Sequence, residues 1–110
     1  MKDMLEDVRV GCVATVDNDG APRATPVHFA IWNNQVIWLS PAQTHHSQNI
    51  ARDGTVSFVA WESPLRSIAV TTTAHAVEGA EAKVLIEKYR AKLGASPKLD
   101  GATVYVADIS

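Results

Sequence analysis

The sequence predicts a mainly β domain in which six antiparallel strands form a small closed or partly closed barrel, accompanied by two short helices. Three observations predict it. Short runs rich in β-branched and apolar residues recur along the chain, turn residues separate these runs, and only two longer segments have helical character. With 110 residues, the chain is expected to form a single domain over positions 1–110, with a core that needs no disulfide.

The first three strands are predicted from hairpin signals. Residues 10–16 are rich in β-branched side chains, and residues 17–20, Asp-Asn-Asp-Gly, tolerate the positive φ angles of a tight turn. A second strand is expected around residues 23–32. Residues 33–34, both Asn, then turn the chain into a third strand at residues 35–39.

A short helix is predicted after the third strand. Thr44 is a suitable N-cap, because its hydroxyl can accept a hydrogen bond from an amide of the first turn. The free amides of that turn and the positive end of the helix dipole favour a phosphate group, and His45 and His46 lie within the same turn. Residues 53–54, Asp-Gly, then lead into a fourth strand at residues 55–61.

The remaining chain is predicted to hold a fifth strand at residues 67–77, an amphipathic helix after Gly79 and a last strand at residues 103–107. Gly94 fits the position after the end of that helix. One or two helical turns are also expected within residues 1–8. The apolar positions with helical spacing are Ala82, Leu85, Ile86, Tyr89 and Leu93.

Composition excludes several classes of protein. The formal net charge of -2 argues against extensive nucleic-acid binding, and no apolar run has the length of a membrane span. Cys12 is the single cysteine, so no intrachain disulfide forms and no zinc-ligand spacing or other metal site is predicted. The acidic N-terminal segment does not have the pattern of a signal peptide, and a cytoplasmic location is expected.

Several runs together carry a family resemblance. In their order and spacing they resemble the pyridoxamine 5′-phosphate oxidase-like family, whose members have the FMN-binding split-barrel fold. The resemblance covers nearly the whole chain. It implies a homodimer with two FMN sites at the interface, each phosphate held mainly by one subunit and the ring partly enclosed by the other. The runs are VATVDNDGAP at 13–22, TPVHF at 25–29, VIWLS at 36–40, THH at 44–46, NI at 49–50 and VSF at 56–58.

The resemblance also implies a set of flavin contacts. The second strand contributes largely through backbone groups, and the helix-entry loop meets the phosphate. The implied residues are Thr25, Pro26, Val27 and His28 in the second strand, Leu39 and Ser40 at the end of the third, Thr44, His45 and His46 at the helix entry, and Ser67 at the start of the fifth.

Two positions depart from the family pattern. His46 stands where the family usually has lysine, and Thr25 stands where the full pyridoxamine phosphate oxidases have arginine. Arg23, on the same strand face as Thr25, is expected to substitute as the cation that pairs with the phosphate. Because an imidazole titrates with a pKa of about 6.5, FMN binding is expected to weaken between about pH 6 and pH 8.

The resemblance implies a flavin-dependent oxidoreductase that acts on an unidentified small molecule, and no catalytic residue is assigned. Pyridoxamine phosphate oxidase activity is not expected, because the full enzymes carry a longer C-terminal segment with basic and aromatic residues. Three alternatives remain open: a non-catalytic flavin-binding or flavin-storage dimer, a deazaflavin or haem in the same cleft, and a structural dimer that has lost its cofactor.

Other conspicuous side chains are assigned to packing. The three tryptophans, Trp32, Trp38 and Trp61, are expected in the core or at the dimer interface. Cys12 is expected to be a buried small apolar residue. His75 has no partner at metal-ligand spacing. For His45 and His46, an alternative to phosphate binding is that they are ordinary polar residues on an exposed helix surface.

Overall fold

The computed structural model describes residues 8–63, 66–94 and 102–109. The mainly β architecture is confirmed, and the described residues contain two helices and seven strands, whereas the sequence predicts six strands. The turns predicted for residues 1–8 fall almost entirely outside the described residues. The elements are β1 (Val10–Val16), β2 (Pro22–His28), β3 (Ala30–Trp32), β4 (Gln35–Ser40), α1 (His45–Arg52), β5 (Thr55–Ser63), β6 (Arg66–Val77), α2 (Gly79–Leu93) and β7 (Thr103–Asp108).

The seventh strand arises because the predicted second strand is two strands. β2 pairs with β1, whereas β3 pairs with β4, and the change of partner occurs at Phe29. Phe29 is fully buried, and its amide donates to the carbonyl oxygen of Arg9 at 3.1 Å. The chain therefore leaves one strand pair and enters another without a turn sequence that would mark the boundary.

The seven strands form one antiparallel sheet with the order β2-β1-β5-β6-β7-β4-β3, which curls into a half-barrel. β6 is twelve residues long and serves both halves, because residues 66–73 pair with β5 and residues 74–77 pair with β7. The curl brings β2 near β4. The two edge strands of the sheet are β2 and β3.

The core is divided by β4, whose residues from Val36 onward are buried on both faces. Val36 and Trp38 point into a cluster enclosed by the curled sheet, together with Phe29 and Phe58, whose rings meet edge to face at 5.1 Å. Residues at alternate positions of β4 pack in a second cluster with the buried side of α2. Each face of this strand is therefore buried by a different part of the chain.

The local signals predict the observed turns and caps correctly. Gly20 has a φ of +90°, and Asn33 and Asn34 have φ values of +56° and +60° in the β3–β4 turn. Gly94 has a φ of +84° directly after α2. Thr44 caps α1 as predicted, accepting a hydrogen bond from the Ser47 amide.

The half of the sheet formed by β2, β1, β5 and β6 has two faces of different character. The inner face carries the enclosed cluster. The other face, termed the outer face, contains residues that are directly opposite one another in the strand register, and none of them is buried. They are Val10, Cys12, Ala14 and Val16; Pro22, Ala24, Pro26 and His28; Thr55, Ser57, Val59 and Trp61; and Ser67, Ala69, Thr71 and Thr73.

The outer face explains the positions of several side chains that the sequence assigned to packing. Trp38 is fully buried in the core, as expected, while Trp61 on the outer face is 55% exposed and Trp32 is 37% exposed. Cys12 is partly exposed instead of buried, because the strand alternation places it on the outer face. In the part of the chain that the structure describes, no helix is long and apolar enough to cross a membrane.

Candidate functional site

The entry to α1 is built around Thr44. Its hydroxyl donates to the carbonyl oxygen of Pro41 at 3.0 Å and accepts from the amide of Ser47 at 3.3 Å. This cap leaves the amides of His45 and His46 at the start of the helix, where no acceptor is found among the described residues. Two backbone donors and the positive end of the helix dipole are thus available for an anion.

The two histidines at this entry have different environments. His45 is exposed, whereas His46 is only 6% exposed, and its Nε2 lies 2.9 Å from Oγ of Ser40, which is also buried. Burial lowers the pKa of the His46 imidazole below its ordinary value. His46 is therefore an internally hydrogen-bonded side chain whose neutral form is favoured at pH 7.

Arg23 pairs with a carboxylate. Its Nε donates to both carboxylate oxygens of Asp17, at 2.8 Å and 3.1 Å. The side chains are 39% and 24% exposed respectively, so the pair lies at the rim of the sheet. The hydrogen bonds from Arg23 and then from Asn49 lower the pKa of Asp17 to about 2, and the carboxylate is ionised throughout the physiological range.

A buried asparagine connects this ion pair to α1. Asn49 Nδ2 donates to Thr15 Oγ1 at 2.9 Å and to Asp17 Oδ1 at 2.8 Å. Its Oδ1 accepts from Arg52, which also donates to the carbonyl oxygen of Val16. The helix is therefore attached to the end of β1 by side-chain hydrogen bonds rather than by apolar packing alone.

A shallow cleft of about 190 Å³ lies between α1 and the β1–β2 turn. His45 and Asp17 both line it, so the exposed histidine of the helix entry and the ion-paired carboxylate share one space. The full lining is Asp17, Asn18, His45, Gln48, Asn49 and Arg52.

The structure distributes the implied flavin contacts over three places, and Ser67 on β6 is separated from β2 by two strands. Strand alternation puts Arg23, Thr25 and Val27 on the inner face, with Val27 buried in the enclosed cluster. It puts Pro26, His28 and Ser67 on the outer face, each exposed. The remainder, Leu39, Ser40, Thr44, His45 and His46, lie at the end of β4 and the start of α1, where the Leu39 side chain packs in the α2 cluster.

Sequence reasoning missed the residues that hold this region together. Asp17 could have been found, because a hairpin that turns at residues 17–20 brings it close to Arg23. No local signal identifies Asn49, whose partners Thr15 and Asp17 lie 34 and 32 positions earlier. Within residues 8–63, 66–94 and 102–109, no group of three or more His, Cys, Asp or Glu side chains is arranged to hold a metal ion.

Comparison with known proteins identifies relatives of this arrangement. The family model described as pyridoxamine 5′-phosphate oxidase matches residues 1–110. No curated protein matches the chain.

Solved structures with the same fold have diverse descriptions. A haem-binding protein from Mycobacterium smegmatis is 20% identical, with a TM-score of 0.84 over 99% of this chain and 49% of its own. The haem storage protein HutZ from Vibrio cholerae is 17% identical, with a TM-score of 0.83 over 99% and 87%. An F420 reductase is 22% identical, with a TM-score of 0.76 over 99% and 92%. The chain thus spans about half the length of the first of these, and the likeness concerns the fold.

Proposed function

The chain belongs to the pyridoxamine 5′-phosphate oxidase family, and from this premise we propose that it binds FMN at the interface of a homodimer and acts as a flavin-dependent oxidoreductase on a small molecule. The observation that carries the proposal is that two surfaces of different character, the outer face and the polar region between Arg23 and α1, lie on either face of β2. An uncharged surface and a phosphate-compatible polar end both adjoin this edge strand, and FMN has a flat ring at one end and a phosphate at the other.

The outer face supports the dimer. None of its residues is Lys, Arg, Asp or Glu, although these make up 20% of the chain, and none is buried by the chain itself. A four-stranded surface with exposed Trp61, Val10 and Val16 is a poor surface to leave in water. A second copy, packed symmetrically on the same face, would cover it.

The inner edge of β2 and the α1 entry support the phosphate position. Arg23 supplies a guanidinium group that is paired with Asp17 through Nε, and the amides of His45 and His46 supply backbone donors. The buried His46 contributes a neutral hydrogen-bonding group through its contact with Ser40. Because its pKa is lowered, any dependence of FMN affinity on its charge is expected below pH 6.5 rather than across pH 6 to 8.

A flavin, when bound, supplies hydride and electron transfer at its ring. The chain's own contribution would be to hold the phosphate, orient the ring against β2 and exclude water on the side covered by the second subunit. Thr25, Pro26 and Val27 are the positions whose backbone groups would lie beside the ring. Among the described strands, β2 pairs with β1 alone, so within this part of the chain its other edge is an edge of the sheet.

The first test is the absorption spectrum of the purified full chain with and without added FMN, together with its sedimentation at micromolar concentration. A yellow protein with flavin absorption, sedimenting as a dimer, is the expected result. Oxidation of NADH or NADPH by the yellow form would support an enzyme over a carrier. A colourless protein that leaves FMN fluorescence unchanged, or a monomer at that concentration, would contradict the proposal.

Haem binding is a second candidate, because His28 places one exposed imidazole on the otherwise uncharged outer face. Haem has the same combination of a flat apolar ring and anionic groups. Added haemin would then give a Soret band that His28→Ala removes. His75→Ala is the matched control, since His75 is also exposed but lies on β6 opposite Val106 of β7. A deazaflavin is tested in the same titration format.

A further inference from the structure

The Asp17–Arg23 pair has a geometry that leaves part of the guanidinium group free. Both carboxylate oxygens of Asp17 accept from the same nitrogen, Nε of Arg23, at 2.8 Å and 3.1 Å. Nη1 and Nη2 of Arg23 have no hydrogen-bond partner among the residues that the structure describes. Two parallel donors at the end of a planar fork are what a phosphate oxygen pair accepts.

The Asp17 carboxylate, which binds Arg23, is in turn fixed by a hydrogen bond from Asn49. Asn49, which is 4% exposed, donates to Asp17 Oδ1 and to Thr15 Oγ1, and its own oxygen accepts from Arg52. Asp17 therefore has little freedom to rotate away, and its lowered pKa keeps it ionised beside Arg23. A chain of hydrogen bonds thus connects the buried Asn49 to Asp17 and Asp17 to the partly exposed Arg23.

We propose that Asp17 is a positioning residue that fixes Arg23 with its two Nη donors directed to the cofactor phosphate, and that Asn49 holds Asp17 in that orientation. The inference rests on the proposed function, since it concerns the phosphate of the proposed flavin. It assigns to Asp17 and Asn49 a role in discriminating phosphorylated from unphosphorylated ligands. Such a role compensates for the neutral His46 at the lysine position.

A purely structural role predicts a different result. If the Asp17–Arg23 pair only attaches the β1–β2 turn to α1, its loss would lower the affinity for ligands with and without a phosphate by the same factor. If Asp17 positions Arg23, its loss would weaken ligands that carry the phosphate and spare those that lack it. FMN and riboflavin have the same ring and differ in the phosphate, so comparing them separates the two roles.

The experiment measures the dissociation constants of FMN and riboflavin by fluorescence quenching for the full chain and its Asp17→Asn variant. Loss of one well-oriented bond to a charged group is expected to weaken FMN about tenfold, with riboflavin changed less than about twofold. Arg23→Gln should give a similar selective loss. Because both act through one contact, the double variant should be no weaker than Arg23→Gln alone.

Asp19→Asn is the matched control, because Asp19 lies in the same turn and acts on Arg23 through its charge alone. Among the described residues, its carboxylate accepts from the amide of Ala21 and makes no hydrogen bond to Arg23. This variant removes a nearby negative charge without releasing Arg23, so it should weaken the binding of neither flavin. Should Asp17→Asn not fold, Arg23→Lys keeps the charge without the planar fork, and a selective loss of FMN affinity would again support the inference.

Three outcomes overturn the inference. Equal weakening of FMN and riboflavin assigns Asp17 a structural role only, and unchanged FMN affinity in Asp17→Asn, or in Arg23→Lys where that variant is used, removes any role. A wild-type chain that binds neither flavin removes the proposed function itself, and the inference with it. The first two outcomes are distinguishable from the third, because in them the wild-type chain still binds FMN.

Discussion

The inner and outer faces of the β2-β1-β5-β6 half-sheet are built from the same strands, and adjacent residues of one strand belong to opposite faces. On β5, Phe58 is fully buried in the enclosed cluster, while Val59 is only partly covered on the outer face. On β1, Val13 and Cys12 show the same contrast. The described residues bury the inner face and leave the outer face exposed or only partly covered, although the outer face as defined above contains no Lys, Arg, Asp or Glu.

The contrast separates residues that are packed within one chain from residues that are left for contact with a partner or a ligand. Inner-face residues should affect the stability of one chain, since their neighbours all belong to it. Outer-face residues should affect association and ligand binding and leave the single-chain fold largely unchanged. Substitutions of adjacent residues on one strand can test this division.

The largest effect is expected at Phe58. Phe58→Ala removes a fully buried ring that meets Phe29 edge to face, and it should lower the free energy of unfolding by about 3–5 kcal/mol. Urea denaturation at one fixed protein concentration measures it. Val59→Ala is the control and should cost under about 1.5 kcal/mol. Similar losses for the two variants would contradict the division between the faces.

A charge on the outer face should break the proposed dimer. Val59 lies between Cys12 and Ala69 in the register, so Val59→Asp would place an unpaired carboxylate within the proposed interface. The dimer dissociation constant should rise more than about a hundredfold, with the circular dichroism spectrum retained. Analytical ultracentrifugation provides the measurement, and Val59→Thr controls for shape. A dimer as tight as the wild type would place the interface elsewhere.

An intermediate effect is expected at Gly11 on the inner face. A Cβ at this position would lie 2.7 Å from Cζ of Phe58 and 3.0 Å from the carbonyl oxygen of Val59. Since the Phe58 ring is fully buried, Gly11→Ala should cost about 1–3 kcal/mol in thermal or urea unfolding. Cys12→Ala, one residue along on the outer face, should cost less. If Gly11→Ala is neutral, the enclosed cluster is less tightly packed than described.

The smallest of these effects concerns pH. Burial lowers the pKa of His46, so the unfolded chain takes up the proton before the folded chain does as pH falls. The contribution of the neutral imidazole is therefore fully present above about pH 6.5 and is lost as pH falls through the folded pKa. Melting temperatures from pH 8 to pH 5 should decline more steeply for the wild type than for His46→Gln. Parallel profiles would mean that His46 is accessible to solvent.

Much of the fold was predictable because its signals are local. The Asp-Asn-Asp-Gly turn, the Thr44 cap and Gly94 each specify a backbone conformation through their own chemistry, and all three are observed. The division at Phe29 was not predictable in the same way. It depends on the strands with which β2 and β3 pair, and a continuous β-prone run contains no local signal for a change of pairing partner.

For the candidate site, the sequence predicted single groups better than the contacts among them. It places an anion-compatible helix start at Thr44 and a cation at Arg23. The structure confirms the Thr44 cap and links Arg23 to α1 through Asp17 and Asn49. That His46 would be buried against Ser40, and that Asp17 would occupy Nε of Arg23, depends on side-chain packing between separate elements. Asn49 is the clearest case, because its partners come from a strand more than thirty residues earlier.

The position of β7 has a consequence for how the chain is made. β7 is synthesised after all the other described strands, yet it lies in the middle of the sheet between β6 and β4. Until it has emerged from the ribosome, the β3–β4 hairpin has no strand to join it to the rest of the sheet, and both β4 and β6 present unpaired backbone groups. The nascent chain therefore holds two incomplete sheets with open edges, which are prone to association, and one late strand closes both at once.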